Sequence, residues 1–283
     1  MTANARRPAF RLSALLVLVF VPLFAAVSAK SADRGRIEAF LETTGFDVAL
    51  DSIALSAGSA PQMLGLEASA FGTDWERLSR DVFDTGEMRG MALEILEETL
   101  SDEALNHAAG FYASDLGQRL VQAENASHLV EDDEVKQLAG ERIISELVRD
   151  GEQRLQLFQR MSSAIGSASA GLKAVQQIQF RFLMAAAAAG VIELEVDADG
   201  LRALLKEQEG EMLLSMQAST LASNAYTYQG FSDAELEEYA EALEEPLMRE
   251  VYELLNAVQN EITANRFELL AYRMAEMHPG QDI

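Results

Sequence analysis

Two stretches of this chain, 131 residues apart, carry the same apolar stripe, and that repetition limits its possible folds more than any other feature. Leu105, Ala109, Tyr112, Leu116, Leu120 and Ala123 fall on Leu236, Ala240, Leu243, Leu247, Val251 and Leu254. The steps are 4, 3, 4, 4 and 3 in both copies, which puts the six side chains on one face of a helix. Each stripe follows a Ser-Asp pair, Ser101-Asp102 and Ser232-Asp233. Serine in that place caps a helix by accepting from a free N–H of the first turn, and the aspartate complements the helix dipole. A stripe and a helix start repeated together predict a duplicated helical module.

Helical periodicity fills most of the remaining chain. Ser31 or Asp33 caps a first helix with Ile37, Phe40 and Leu41 on its inner face and Gly45 at its end. A short helix follows over about 47–57, broken by Gly58 to Pro61, and a longer one runs from Trp75 to Thr99. From Val135 to Ala189 the pattern is continuous. One helix of that length would exceed ~80 Å at about 1.5 Å per residue, so breaks are expected near Asp150-Gly151 and between Gly166 and Gly171. Ile192 to Val196 alternates like a strand without a partner strand in the chain, and reads as an extended connector. Asp197 or Asp199 caps a helix extending towards Tyr226. Ser232 with Glu235 forms a capping box for a last helix running to about Ala275, bent at Pro246. The expected fold is all-α: related helical modules at 30–130 and 191–283, joined by long helices over 131–190, with antiparallel helix packing.

Within the first copy, Phe111-Tyr112-x-Ser114-x-x-Gly117 resembles the Phe-Tyr-x-Ser-Pro-x-Gly signature of a bacterial family, domain of unknown function 2059. The resemblance is best over about 75–125 and recurs more weakly over about 201–262. Asp115 stands at the signature's proline, whereas the second copy keeps Pro246 and lacks the Phe-Tyr, the serine and the glycine. The resemblance implies a helical, exported protein and carries over no catalytic residue. It singles out Phe111, Tyr112, Ser114 and Gly117 as candidate interaction residues. Packing offers another role for them: Tyr112 lies on the repeated stripe and is expected in the core, and Gly117 is expected to let a helix approach closely. Phe111 sits one residue round and falls on Ala242 in the second copy. The repeated fold does not require an aromatic there, so recognition is expected at Phe111 before Tyr112.

The N-terminus reads as an export signal. Arg6, Arg7 and Arg11 form a basic start, Leu12 to Val27 is apolar apart from Ser13, and Val27-Ser28-Ala29 offers small residues for cleavage before Lys30. The apolar run is shorter than the ~20 residues that span a bilayer, and Pro22 interrupts it. Cleavage after Ala29 is therefore expected over a retained anchor helix, giving a periplasmic protein with no stable membrane anchor. Residues 1–29 hold three of the 22 Lys and Arg and no carboxylate, so their loss takes the formal charge from −24 to −27. Such a chain repels nucleic acid and anionic membrane surfaces.

No pattern of catalytic residues emerges. With no cysteine, disulfides, thiol nucleophiles and lipid attachment at a lipobox are excluded. Glu195 to Gly200 resembles the start of a calcium loop, but the obligatory glutamate position holds Lys206. The acidic run Glu131 to Glu134 suits a helix start without any metal. His107, His128 and His278 lack zinc-ligand spacing. Gly166-Ser-Ala-Ser-Ala-Gly171 is a helix seam rather than a nucleophile elbow. No catalytic, cofactor or metal residue is assigned. The expected function is non-enzymatic binding of a protein partner, of a second copy, or of an apolar ligand between the modules. Two other readings are a helical enzyme with its site between the copies and a carrier of lipid or another hydrophobic molecule. The carrier predicts a cavity lined by residues such as Phe180, Phe182, Met184, Met212 and Met216.

Overall fold

The structure is a computed structural model that describes residues 32–65, 74–130, 133–150 and 153–277. The expected signal segment and its cleavage site lie outside these residues. The described chain is all-α, without a strand among the described residues. The first half comprises α1 (Arg34–Thr44), α2 (Phe46–Ser56), α3 (Ala60–Met63), α4 (Asp74–Val82), α5 (Thr85–Thr99), α6 (Asp102–Tyr112) and α7 (Asp115–His128). After α8 (Asp133–Asp150) come α9 (Arg154–Ile165), α10 (Ala168–Ala188), α11 (Ala198–Glu207), α12 (Glu209–Thr227), α13 (Asp233–Glu244) and α14 (Pro246–Met277).

Local chemistry fixes most of the helix ends. Asp33, Ser101, Ser167 and Asp197 each accept a first-turn N–H through the side chain. Ser232 and Glu235 close a full capping box. That box and Arg119 hold the Glu235 carboxyl down at about 2, chiefly through the Ser232 backbone N–H. Gly45 ends α1 at φ 71, a left-handed conformation that glycine adopts without steric cost.

Four expected helices are each two, and the one expected from Asp197 towards Tyr226 divides at Gln208, between α11 and α12. The Trp75–Thr99 helix divides at Asp84, whose carboxylate accepts from Glu87 N at 2.9 Å and starts α5. The first stripe divides between α6 and α7 at Ser114. The last helix does more than bend at Pro246: Glu245 is extended, as a residue before proline prefers, and Pro246 takes the first position of α14. Both stripes thus break 131 residues apart, at Ser114-Asp115 and Glu245-Pro246.

The helices pack as two modules against one another. In one, α1 lies on α5 and α6, and α2 lies on α5 and α7. In the other, α9 lies on α12 and α13, and α10 lies on α12 and α14. The segments α9 and α10, read from the sequence as connectors, are therefore packed on α13 and α14. Arg160 joins Glu237 and Glu244, and Arg181 joins Glu261 and Glu268. The antiparallel packing expected is present between α2 and α5, where Arg89 faces Asp47 and Thr85 faces Asp51. Other pairs run in the same direction. On α1 and α6, Arg36 meets Asp102 and Phe40 meets Tyr112; on α10 and α14, Asn256 meets Ile165 just before α10, and Phe182 meets Phe267 further on. α8 lies along α12 and depends on Gly140, where a Cβ would strike the Ala222 backbone. One apolar core joins both modules, with Ile37, Leu105, Phe158, Leu236 and Leu270 all in it.

Candidate functional site

The signature residues build a helix corner. Phe111 and Tyr112 end α6, and Ala113 is the link. Ser114 is extended (φ −71, ψ 161), and its hydroxyl accepts from Gly117 N at 3.1 Å to start α7. Gly117 sits against the end of α6: a Cβ there would lie 2.7 Å from Tyr112 Cα and would also strike the Phe111 carbonyl oxygen. The glycine is required by this close approach of one helix to the other. Ser114 and Gly117 thus shape the corner, which aims the two aromatics inwards.

Tyr112 is buried and Phe111 half-buried. Phe111 stacks parallel on Tyr239 of α13, with centroids 5.7 Å apart, and meets the Tyr112 ring edge-on at 5.2 Å. The Tyr112 hydroxyl makes a close hydrogen bond with the Tyr252 hydroxyl on α14. Four of the chain's six tyrosines gather here, around one carboxylate. Tyr228 and Tyr239 both donate to Glu124 Oε1, at 2.8 and 2.9 Å. A hydroxyl has one proton to give. Since Tyr239 gives its own to Glu124, the 3.4 Å contact between Tyr239 and Tyr252 has Tyr252 as donor. Tyr112 then donates to Tyr252, and these four tyrosine hydrogen bonds all run towards Glu124.

Glu124 is partly exposed as a residue, but its carboxylate is enclosed. Burial raises the carboxyl above its ordinary pKa, and the two tyrosine donors oppose that shift. Among the described residues no lysine or arginine pairs with it. Burial also raises the phenols of Tyr112, Tyr228, Tyr239 and Tyr252, so all four stay neutral donors at ordinary pH.

A cleft of about 130 Å³ opens beside this cluster. Its walls come from both modules: Phe40, Thr44, Gly45 and Phe46 at the α1–α2 junction, Tyr112 on α6, Glu124, Asn125 and His128 on α7, and Tyr252, Asn256 and Gln259 on α14. Asn125 fills the space that a side chain at Gly45 would occupy. Asn256 donates to Ile165 O at 2.6 Å. The arrangement holds one buried acceptor group, aromatic walls and several amides around a space of small-molecule size.

Of the four residues singled out by sequence, Tyr112 lines the cleft. Phe111 supports the cluster from behind, and Ser114 and Gly117 position both. Glu124, Asn125, Tyr228, Tyr239, Tyr252 and Asn256 were not foreseen. One signal for them was present, because the same 131-residue offset places Asn125 on Asn256. The five residues expected to line a lipid cavity are absent from the cleft; Phe182 is fully buried against Phe267, and Phe180 lies under the Arg202 guanidinium at 4.2 Å. Among the described residues no group of three or more His, Asp or Glu is placed to hold a metal, and no helix is long and apolar enough to cross a membrane.

No curated protein matches the chain, and no solved structure matches it. Residues 86–146, from α5 through most of α8 and centred on the α6–α7 corner, match the model of a family described as an uncharacterized protein conserved in bacteria (DUF2059).

Proposed function

We propose that this chain is an exported, periplasmic binding protein that takes a small molecule in the cleft between two copies of one helical module. The observation that carries the binding reading is Glu124, a buried carboxylate held by two tyrosines and, among the described residues, lacking a cationic partner, on the wall of a cleft shared by both modules. A buried anion without a counter-charge costs stability, and such a cost is retained where the group has a ligand to meet. Export rests on the basic start, short apolar run and small residues before Lys30. The duplication rests on the matched stripes, on breaks at Ser114-Asp115 and Glu245-Pro246, and on the like packing of α1 with α6 and of α9 with α13. A cleft of this size suits a small molecule better than an acyl chain.

The test is a nuclear magnetic resonance titration of the protein with the low-molecular-weight fraction of an envelope extract. Shifts concentrated at Phe40, Tyr252 and Gln259 are expected. Shifts confined to surfaces away from the cleft would contradict the small-molecule reading.

A further inference from the structure

We infer that the ligand of this cleft is a small organic ammonium ion, with Glu124 as its counter-charge and the rings of Phe40, Tyr112 and Tyr252 as its walls. This rests on the reading of the cleft as a small-molecule site, and adds the chemical class of its occupant.

Charge makes the first selection. Among the described residues the lining contains one carboxylate and no lysine or arginine, and His128 is its only basic side chain. Both tyrosine hydrogen bonds fall on Glu124 Oε1. A carboxylate offers about four acceptor positions over two oxygens, so Oε2 keeps its capacity for a ligand. An anion entering beside Glu124 is repelled. A neutral molecule leaves the carboxylate without a counter-charge. A cation supplies what the protein withholds, and the net charge of −24 raises its concentration near the surface.

The walls make the second selection, between a bare metal ion and an organic cation. Calcium takes 6–8 oxygen ligands, commonly with several carboxylates, whereas this lining supplies a single carboxylate between aromatic rings. The faces of Phe and Tyr attract a cation within about 6 Å of the ring centre, and do so most when water is excluded. Rings also accommodate the alkyl groups of an organic cation, which a hydrated metal ion lacks. Asn256 spends an N–H on Ile165 O, which leaves its amide oxygen available to an ammonium N–H.

The test uses four probes of nearly one shape: tert-butylammonium, tetramethylammonium, tert-butanol and pivalate, each titrated into the protein and followed by the resonances of Phe40 and Tyr252. At least one ammonium ion is expected to bind ten times or more tightly than tert-butanol and pivalate. The two cations also separate N–H recognition from recognition by the rings alone. In Glu124→Gln, whose carbonyl oxygen still accepts from Tyr228 and Tyr239, ammonium binding is expected to weaken at least tenfold with the melting curve cooperative. Equal ammonium affinity in the parent and in Glu124→Gln would overturn the inference. If tert-butanol or pivalate binds as tightly as either cation, the ammonium assignment is wrong while the cleft remains a small-molecule site. If the envelope extract shifts the cleft and neither ammonium ion does, the assignment is again wrong. If none of these shifts it, both readings fall. The comparison among probes on the parent protein decides the matter even if the variant does not fold.

Discussion

Asn125 and Asn256 stand 131 residues apart, and each packs against the glycine that ends a helix. Asn125 covers Gly45 after α1, and Asn256 lies against Gly166 after α9 while donating to Ile165 O. Both glycines have positive φ, 71 and 148. The same asparagine, met at the same distance after Ser101 and Ser232, thus lies against a helix-ending glycine in each module, left-handed at Gly45 (φ 71, ψ 25) and of another conformation at Gly166 (φ 148, ψ 136). This polar correspondence is independent of the apolar stripes and supports a duplicated unit. It also brings both asparagines to the rim of one cleft, since α7 and α14 meet there.

The α6–α7 corner should be sensitive to a single methyl group. Gly117→Ala puts a Cβ into the backbone of Phe111 and Tyr112, and overpacking of this kind costs ~1–3 kcal/mol. Ser114→Ala removes the cap and costs ~1 kcal/mol. Urea denaturation of both variants measures this; midpoints equal to the parent's would show that the corner is not built as described.

Tyr112 and Leu243 are buried at matched places on the two stripes. Tyr112→Ala should cost ~3–5 kcal/mol and Leu243→Ala ~2–5 kcal/mol. Tyr112→Phe keeps the ring and removes only the donor to Tyr252, a loss of ~1 kcal/mol. Chemical denaturation separates the ring from the hydroxyl. An alanine variant at either site with parental stability would place that residue outside the core.

Glu124 should make stability depend on pH in a specific direction. Burial raises its pKa in the folded protein above the unfolded value, so the contribution of its neutral form is fully present below the unfolded pKa and is lost as pH rises through the folded one. Glu124→Gln removes this dependence. The stability of the variant relative to the parent should therefore grow as pH rises through that window, then level off above it. The difference between the two proteins cancels the other carboxylates. A difference that shrinks with rising pH would mean that the carboxylate is stabilised, not penalised, by its surroundings.

Protein recovered from the envelope fraction should begin at Lys30. Mass spectrometry of the intact chain checks this, and a retained Met1 would contradict cleavage after Ala29.

The sequence reveals what neighbouring residues decide, and hides what the fold brings together. Asp33, Gly45, Ser101, Asp197 and the Ser232–Glu235 box are legible because a cap needs only its own first or last turn. The corner at Ser114 is not, because the 4, 3, 4 stepping from Leu105 continues across it without a change of period. The break at Asp84 is missed because apolar residues at helical spacing lie on both sides of it, Trp75, Leu78 and Val82 before and Leu93 and Leu96 after. Glu124 meets Tyr228 across 104 residues and Tyr239 across 115, and no local pattern announces such partners. Nor does a stripe of apolar matches draw attention to Asn125 and Asn256, since both are polar. The break expected between Gly166 and Gly171 falls at Gly166-Ser167, whereas the packing of α9 and α10 on α13 and α14 has no local signal.

The most direct measurement follows the side-chain carboxyl carbon of Glu124 by nuclear magnetic resonance across a pH titration, with and without tert-butylammonium. A bound cation favours the charged carboxylate, so its pKa should start above the ordinary glutamate range and fall when the ammonium ion is present. A Glu124 pKa left unchanged by saturating ammonium would contradict a cation-binding cleft between the two modules.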